Sequence, residues 1–485
     1  MIVSLDGEWL LATDPTNVGR DQRWWEGPRP DTKPAKVPWI IQDAFPGYHG
    51  VAWYWREFAV PPNPHRDGRY LLRFWAVDYK ADVWVNDVHV GEHEGGETPF
   101  VLDATEALRQ VGNLSHGRVA VRVLNPTNEP IDGIVLNETA HRNKVVPYGS
   151  GSAWDQGGII DSVELRVAPP VRVEDLFVRP DWKTGAVRAQ VNVRNALPQA
   201  AQAHLELSVA PAASGETVTV ATIEREVQPG DTLVEAELKV DKPHLWSLSD
   251  PFLYRVTARV SSDGSVGADG SVSADEHSVR CGFRDFRFED GWFRLNGKRL
   301  CLRCSHTGNC CPVGLLMAYE EAYASWCLAD SPKMGERFDE SLLGMVRRDR
   351  NHPSVTIWGL LNETPDGAAA TGGEAELFVA DPADLPRVDG DITLWGDDPV
   401  VAKWLADHGV RTRPFAPGEP TTREVLLAVA EPPGPDEGAT WRAESPVAVQ
   451  PSSSRRTFWR RATSRRAGCR WQTRAPSPPC ATGST

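Results

Sequence analysis

The sequence predicts a multi-domain β plus α/β protein, with a jelly-roll domain and an immunoglobulin-like β-sandwich ahead of α/β segments. Three observations carry that reading. The first 281 residues are dominated by short runs that alternate apolar and polar side chains, the period of half-buried strands. At Gly282 the pattern changes to hairpin, helix and continuous apolar run, which is α/β in character. The chain has 485 residues, more than one core organises, and this predicts about three domains.

Composition narrows the class. Hydrophobic residues make up 41% and charged residues 24%, which excludes wholesale disorder. No run approaches the roughly 18 consecutive apolar residues of a membrane helix. The opening Met1-Ile-Val-Ser-Leu-Asp-Gly-Glu-Trp9 has neither a basic nor an apolar leader region, so a cytoplasmic chain is expected. A net charge of −14 argues against nucleic acid as the main partner. The 19 tryptophans suit both β-sandwich cores and stacking on sugar faces.

Residues 1–170 read as the jelly roll, from runs such as Arg69–Trp75, Ala81–Asn86, Arg118–Leu124 and Asp161–Val167, with turn residues between them. Residues 171–281 read as the sandwich, with about seven alternating strands and no disulfide. These include Val187–Val193, His204–Val209, Leu233–Val240 and Leu253–Val260. Trp292–Arg303 reads as a hairpin turning at Asn296-Gly297. Ser331-Pro332 is expected to cap and open a helix whose apolar face is Met334, Phe338, Leu342 and Met345. The arginines 347, 348 and 350 favour its C-terminal dipole end, and Asn351-His352-Pro353 stops it. Ser354–Leu361 is expected as a fully buried strand ending in Asn362-Glu363. Residues 373–440 read as a separate α/β fragment. Residues 445–485 hold eight arginines and no acid, and are expected to be a disordered basic tail.

Glu363 is the leading catalytic candidate. A carboxyl at the C-terminal end of a buried strand suits general acid catalysis, with an amide beside it to hold a sugar hydroxyl. A glutamate that merely caps the following turn fits the spacing equally well. Six cysteines lie between Cys281 and Cys327, including Cys301-x-x-Cys304. A zinc site would need convergent ligands, but an i, i+3 pair on a strand points to opposite faces. Reduced buried thiols are expected, with no metal and no cofactor.

Arg348-Asp-Arg-Asn-His-Pro-Ser-Val-Thr-Ile-Trp-Gly-Leu-Leu-Asn-Glu363 resembles the acid/base signature of glycoside hydrolase family 2, the β-galactosidase, β-glucuronidase and β-mannosidase family. Leu5–Trp9, Phe74–Gly91 with Glu94-Gly-Gly-Glu-Thr-Pro-Phe100, Pro243–Ser247, Pro251–Tyr254, Gly282–Arg284 and Leu295–Lys298 resemble further family segments in the same order. The likeness runs from residue 1 to about 367. It implies that residues 282–367 are part of a (β/α)8 barrel and that the substrate is a β-glycoside. It also implies that Glu363 is the acid/base, that Asn362 binds the sugar 2-hydroxyl, and that Glu321 lies near the sugar. His306 falls near the family's substrate-contact loop.

The departures are as informative. A whole barrel takes about 250 residues, whereas 85 separate Gly282 from Gly367. The family would carry roughly another strand and two helices between Gly314 and Leu315. Its nucleophile is a second glutamate, after Ser or Thr and before an aromatic residue. None of the seven glutamates from Glu374 to Glu444 has that setting, so no nucleophile is found. Two functions therefore stand side by side: a glycosidase of this type whose own chain is inactive, or a non-catalytic carbohydrate-binding or vestigial protein using the jelly roll.

Overall fold

The computed structural model describes residues 1–109, 116–139, 144–146, 153–266, 270, 272–301, 321–324 and 331–362. Beyond these it describes 392–395, 403, 406, 411–414, 425–428, 447–451 and 457–461. The chain divides into two compact units, Met1–Ala375 and Glu376–Thr485.

The first unit opens with two packed sheets. One has four strands in the order Ile2–Ser4, Val163–Ala168, Arg69–Phe74, Phe100–Asp103. The other has six, in the order Lys33–Val37, Gly7–Thr13, Gly50–Ala59, His116–Asn125, Lys80–Val85, Val88–Glu94. Alternation sends Val119, Val121 and Val123 into the core between the sheets, with Trp9, Tyr54, Phe74 and Val163. The other face of the six-stranded sheet is buried as well. There Trp53, Trp55 and Trp84 pack with Trp24 and Leu124, so much of the tryptophan excess is core. Arg122 sits on this outer face without exposure, its Nη1 3.0 Å from Asp82 and its Nη2 donating to Asn17 and Asp132. A buried guanidinium needs such partners, and these tie two loops across the sheet.

The sandwich follows with seven strands. Three form one sheet (Val171–Pro180, Ala186–Asn195, Gly230–Lys239) and four the other (Thr219–Val227, Ala201–Pro211, Tyr254–Val266, Val272–Cys281). Val and Leu at alternate positions fill the space between them. Cys281 is a buried free thiol. Asp275 joins the two β-domains by accepting from the Arg166 guanidinium at 2.5 Å and from the Val173 amide at 2.9 Å.

Trp292–Leu295 and Lys298–Leu300 form the expected hairpin, and both turn residues take positive φ, 50° at Asn296 and 76° at Gly297. A βαβ unit then comprises β1 (Glu321–Ala324), α1 (Met334–Asp349) and β2 (Gly359–Asn362), the two strands being parallel. Met334, Phe338 and Met345 are the buried face of α1, with Leu342 and Trp358 against them, as the spacing predicts. Two local expectations need correction. The helix begins at Met334, two residues after Pro332, and Ser331 accepts from the Lys333 amide at 3.3 Å instead of acting as the N-cap. The strand before Glu363 begins only at Gly359, and Ile357 is 56% exposed, because residues 351–355 are held by the sandwich rather than by a neighbouring strand.

The second unit holds a five-stranded sheet. Ile392–Trp395 runs parallel between Thr412–Pro414 and Val425–Ala428, then come Val447–Pro451 and, antiparallel, Thr457–Arg461. The last two strands fall where the basic composition predicts disorder. There the two strands pair antiparallel at the sheet edge.

The described strands of residues 1–281 enclose two cores. A fragment of those residues is expected to give a cooperative thermal transition by circular dichroism. A featureless melt would show that the β-domains need the rest of the chain.

Candidate functional site

Of the residues that the sequence marks, Asn362 and Glu321 fall on the parallel pair β1 and β2. Asn362 is the last residue of β2 and pairs with Ala324, at the exit end of the parallel pair. Glu321 pairs with Gly359, at the entry end. Three residues of strand, about 10 Å, separate the two levels, so the pairing does not bring Glu321 level with Asn362. Glu363 and His306 lie outside the described residues, as do Cys304, Cys310 and Cys311. Cys301 is exposed, directly after the hairpin. Among the described residues no three His, Cys, Asp or Glu side chains are grouped to hold a metal.

The side chains that hold α1, and with it the second strand, are well defined. Arg337 lies on the buried face of the helix and is 5% exposed. Its Nε donates to Glu94 Oε1 at 2.6 Å and its Nη1 to the Glu138 carbonyl at 2.7 Å and Ser331 Oγ at 3.2 Å. Tyr79 donates its hydroxyl to the same Glu94 oxygen at 3.1 Å. One turn along α1, Glu340 Oε1 accepts from Thr98 Oγ1 at 2.6 Å, and His93 Nε2 lies 3.0 Å from that hydroxyl. The threonine has a single proton and gives it to Glu340, so neutral His93 donates its Nε2–H to the oxygen. Farther on, Arg348 Nη1 donates to the Glu97 carbonyl at 3.2 Å.

This docking requires two glycines. A Cβ on Gly344 would lie 2.2 Å from Thr98 Cγ2, and one on Gly95 would lie 2.4 Å from Glu340 Oε2. Glu94-Gly-Gly-Glu-Thr98 therefore serves as the seat of the helix. Burial shifts both titratable groups toward neutrality. It pushes the His93 imidazole down to about 4, against an opposing pull from Glu94. It also raises the Glu340 carboxyl, which Thr98 partly offsets and Glu94 reinforces.

Arg337, Glu340 and His93 were not marked by sequence reasoning, and Thr98 was marked only as part of the family segment Glu94–Phe100. The one signal available was an arginine within the apolar stripe of the helix, between Met334 and Phe338.

Three family profiles match the chain in order. They are described as glycosyl hydrolases family 2, sugar binding domain (residues 35–169), glycosyl hydrolases family 2 (residues 171–284), and glycosyl hydrolases family 2, TIM barrel domain (residues 309–376). Among curated relatives, the β-glucuronidases of Canis lupus familiaris and Sus scrofa are each 25% identical, over 433 and 434 positions. Each alignment takes in 74% of this chain and 63% of the relative, so the chain spans less than two thirds of their length. A Bacteroides uniformis β-glucuronidase 2 covalently bound to cyclophellitol-6-carboxylate aziridine superposes with a TM-score of 0.60 at 21% identity, covering 75% of this chain and 47% of that one. Another Bacteroides uniformis β-glucuronidase structure also gives 0.60, at 20% identity, covering 77% and 49%. These superpositions establish the shared fold.

Two outcomes follow from the docking geometry. Arg337→Met leaves Glu94 without its guanidinium, and is expected to destabilise the docked helix by about 3 kcal/mol in urea unfolding; a change under about 1 kcal/mol would remove Arg337 from this role. His93 is held neutral in the folded chain with its pKa lowered, so its contribution is intact above about pH 6.5. It is lost as pH falls toward 4. Glu340, raised, acts in the opposite direction over the lower part of that window. Between pH 6.5 and 4 the melting temperature of His93→Gln should therefore fall less steeply than that of the native chain. Parallel curves would show that His93 does not titrate against docking.

Proposed function

Because the chain belongs to glycosyl hydrolase family 2, we propose that it derives from an enzyme that cleaves β-glycosides by acid/base chemistry at Glu363, with β-glucuronides the favoured substrate class. The observation that carries this reading is the family's acid/base segment, Arg348–Glu363, running from the end of α1 through β2 to Asn362 in a βαβ unit. The exit end of a parallel strand is where a barrel presents catalytic groups. A carboxyl there would protonate the leaving oxygen, and Asn362 beside it would bind the sugar 2-hydroxyl. The curated relatives are β-glucuronidases, which favours a uronic acid over a neutral sugar. No cofactor enters this chemistry.

Acid catalysis is half of the reaction. The oxocarbenium-like transition state also needs an anion or an activated water on the opposite face of the ring, supplied by a second carboxylate. Within these 485 residues none of the glutamates after Glu363 has the nucleophile's sequence setting. Loss of one member of a catalytic pair commonly raises the barrier by about 4 kcal/mol or more. This polypeptide alone is therefore proposed to turn over glycosides negligibly. The match of residues 35–169 to the family's sugar binding domain favours one alternative, retention of carbohydrate binding without hydrolysis.

The test is a panel of nitrophenyl β-glucuronide, β-galactoside, β-mannoside and β-glucoside, with the native chain and Glu363→Gln. Equal background from both is expected. Turnover present only in the native chain would show that a second carboxylate is supplied. Saturable binding of a glucuronide that residues 1–281 reproduce would favour the binding protein instead.

A further inference from the structure

The segment between α1 and β2 is held by the sandwich through contacts that the acid/base chemistry does not use. Val171–Pro180 is the edge strand of the three-stranded sheet, and a register shift between Val173 and Asp175 marks a bulge there. Leu176 and Val178, two residues apart, turn their backbone groups to the same side of the strand. Asn351 meets both, donating from Nδ2 to the Leu176 carbonyl at 2.9 Å and accepting at Oδ1 from the Val178 amide at 3.0 Å. Beside it Arg350 pairs with Asp175 and lies over the Phe177 ring, 4.5 Å from its centroid. Arg284 donates to the Val355 carbonyl at 2.8 Å, and Pro353 packs so closely on Gly282 that a Cβ there would be 3.0 Å from Pro353 Cγ.

We propose that Asn351 is a positioning residue, its amide standing in for a missing strand at the sandwich edge and thereby setting the register of β2, whose last residue, Asn362, directly precedes Glu363 in the sequence. The proposal rests on the reading of Glu363 as the acid/base and deepens it. A primary amide supplies one donor and one acceptor with the spacing of a peptide group, so it caps an edge in both directions. Four residues on, Arg284 holds Val355, and four more bring the chain to Gly359, where pairing with β1 begins. Between these anchors the chain has no strand partner among the described residues; Ile357 is exposed and Trp358 packs against α1. The level at which β2 enters its pair is thus set by where Asn351 is fastened.

The test is hydrogen–deuterium exchange on the full-length chain, which needs no turnover and so stands apart from the glycoside panel. In Asn351→Ala, exchange of amides 355–362 is expected to rise about tenfold, while helix amides 338–345 stay within about twofold of native. Asn351→Asp keeps an acceptor for the Val178 amide but loses the donor to Leu176, and should fall between. An increase confined to the Val178 region would overturn the proposal, as would an equal increase in helix and strand. If the alanine variant does not fold, the aspartate variant decides: native exchange at 355–362 sinks the idea.

Discussion

A buried guanidinium sets the terms for the βαβ unit. Arg337 lies on the apolar face of α1, where an unpartnered cation would cost several kcal/mol. It is tolerable only while the helix stays seated on the jelly roll, with Glu94 and the Glu138 carbonyl in place. The helix cannot turn about its axis without breaking these bonds, and β1 and β2 are joined through it. The apolar contacts of Met334, Phe338 and Met345 provide burial, but burial alone is non-directional. The charge-assisted hydrogen bonds at Arg337 supply the orientation.

The family signature therefore has two parts with different physical work. Its first half, Arg348 to Pro353, reaches both β-domains: the Glu97 carbonyl in the jelly roll, and the edge strand from Asp175 to Val178 in the sandwich. Its last two residues, Asn362 and Glu363, are those to which the proposed chemistry is assigned. Precise placement of a catalytic group accounts for a large share of rate enhancement, and a strand supported by domains outside the barrel gains that placement from them. The two β-domains ahead of this segment are, in this geometry, part of the frame that orients it.

The described aromatic clusters have a similar structural explanation. Trp53 and Trp84 stack 5.2 Å apart, and Trp25 and Trp84 likewise, in the cluster on the sheet face where Arg122 pairs with Asp82 and Asp132. Large rings cover the second face of a sheet that would otherwise be wet. Their abundance on its own says nothing about sugar binding.

Sequence alone determined what is local and periodic. Alternation placed the sandwich strands, Asn296-Gly297 fixed a turn that demands positive φ, and a 3.6-residue stripe marked the buried face of α1. Motif resemblance marked Glu363 and Asn362. Tertiary structure decided what depends on neighbours distant in sequence. Arg337 binds a carbonyl 199 residues away, Arg348 one 251 away, and Asn351 an amide 173 away. No window of sequence contains both partners, so an arginine in an apolar stripe or an asparagine after a helix looks like ordinary punctuation. The same physics explains the late start of β2. Ser354–Trp358 has an apolar, β-branched composition that reads as strand, but a strand needs a hydrogen-bonded neighbour. Here the segment is carried by Arg284 and Asn351 until β1 becomes available at Gly359.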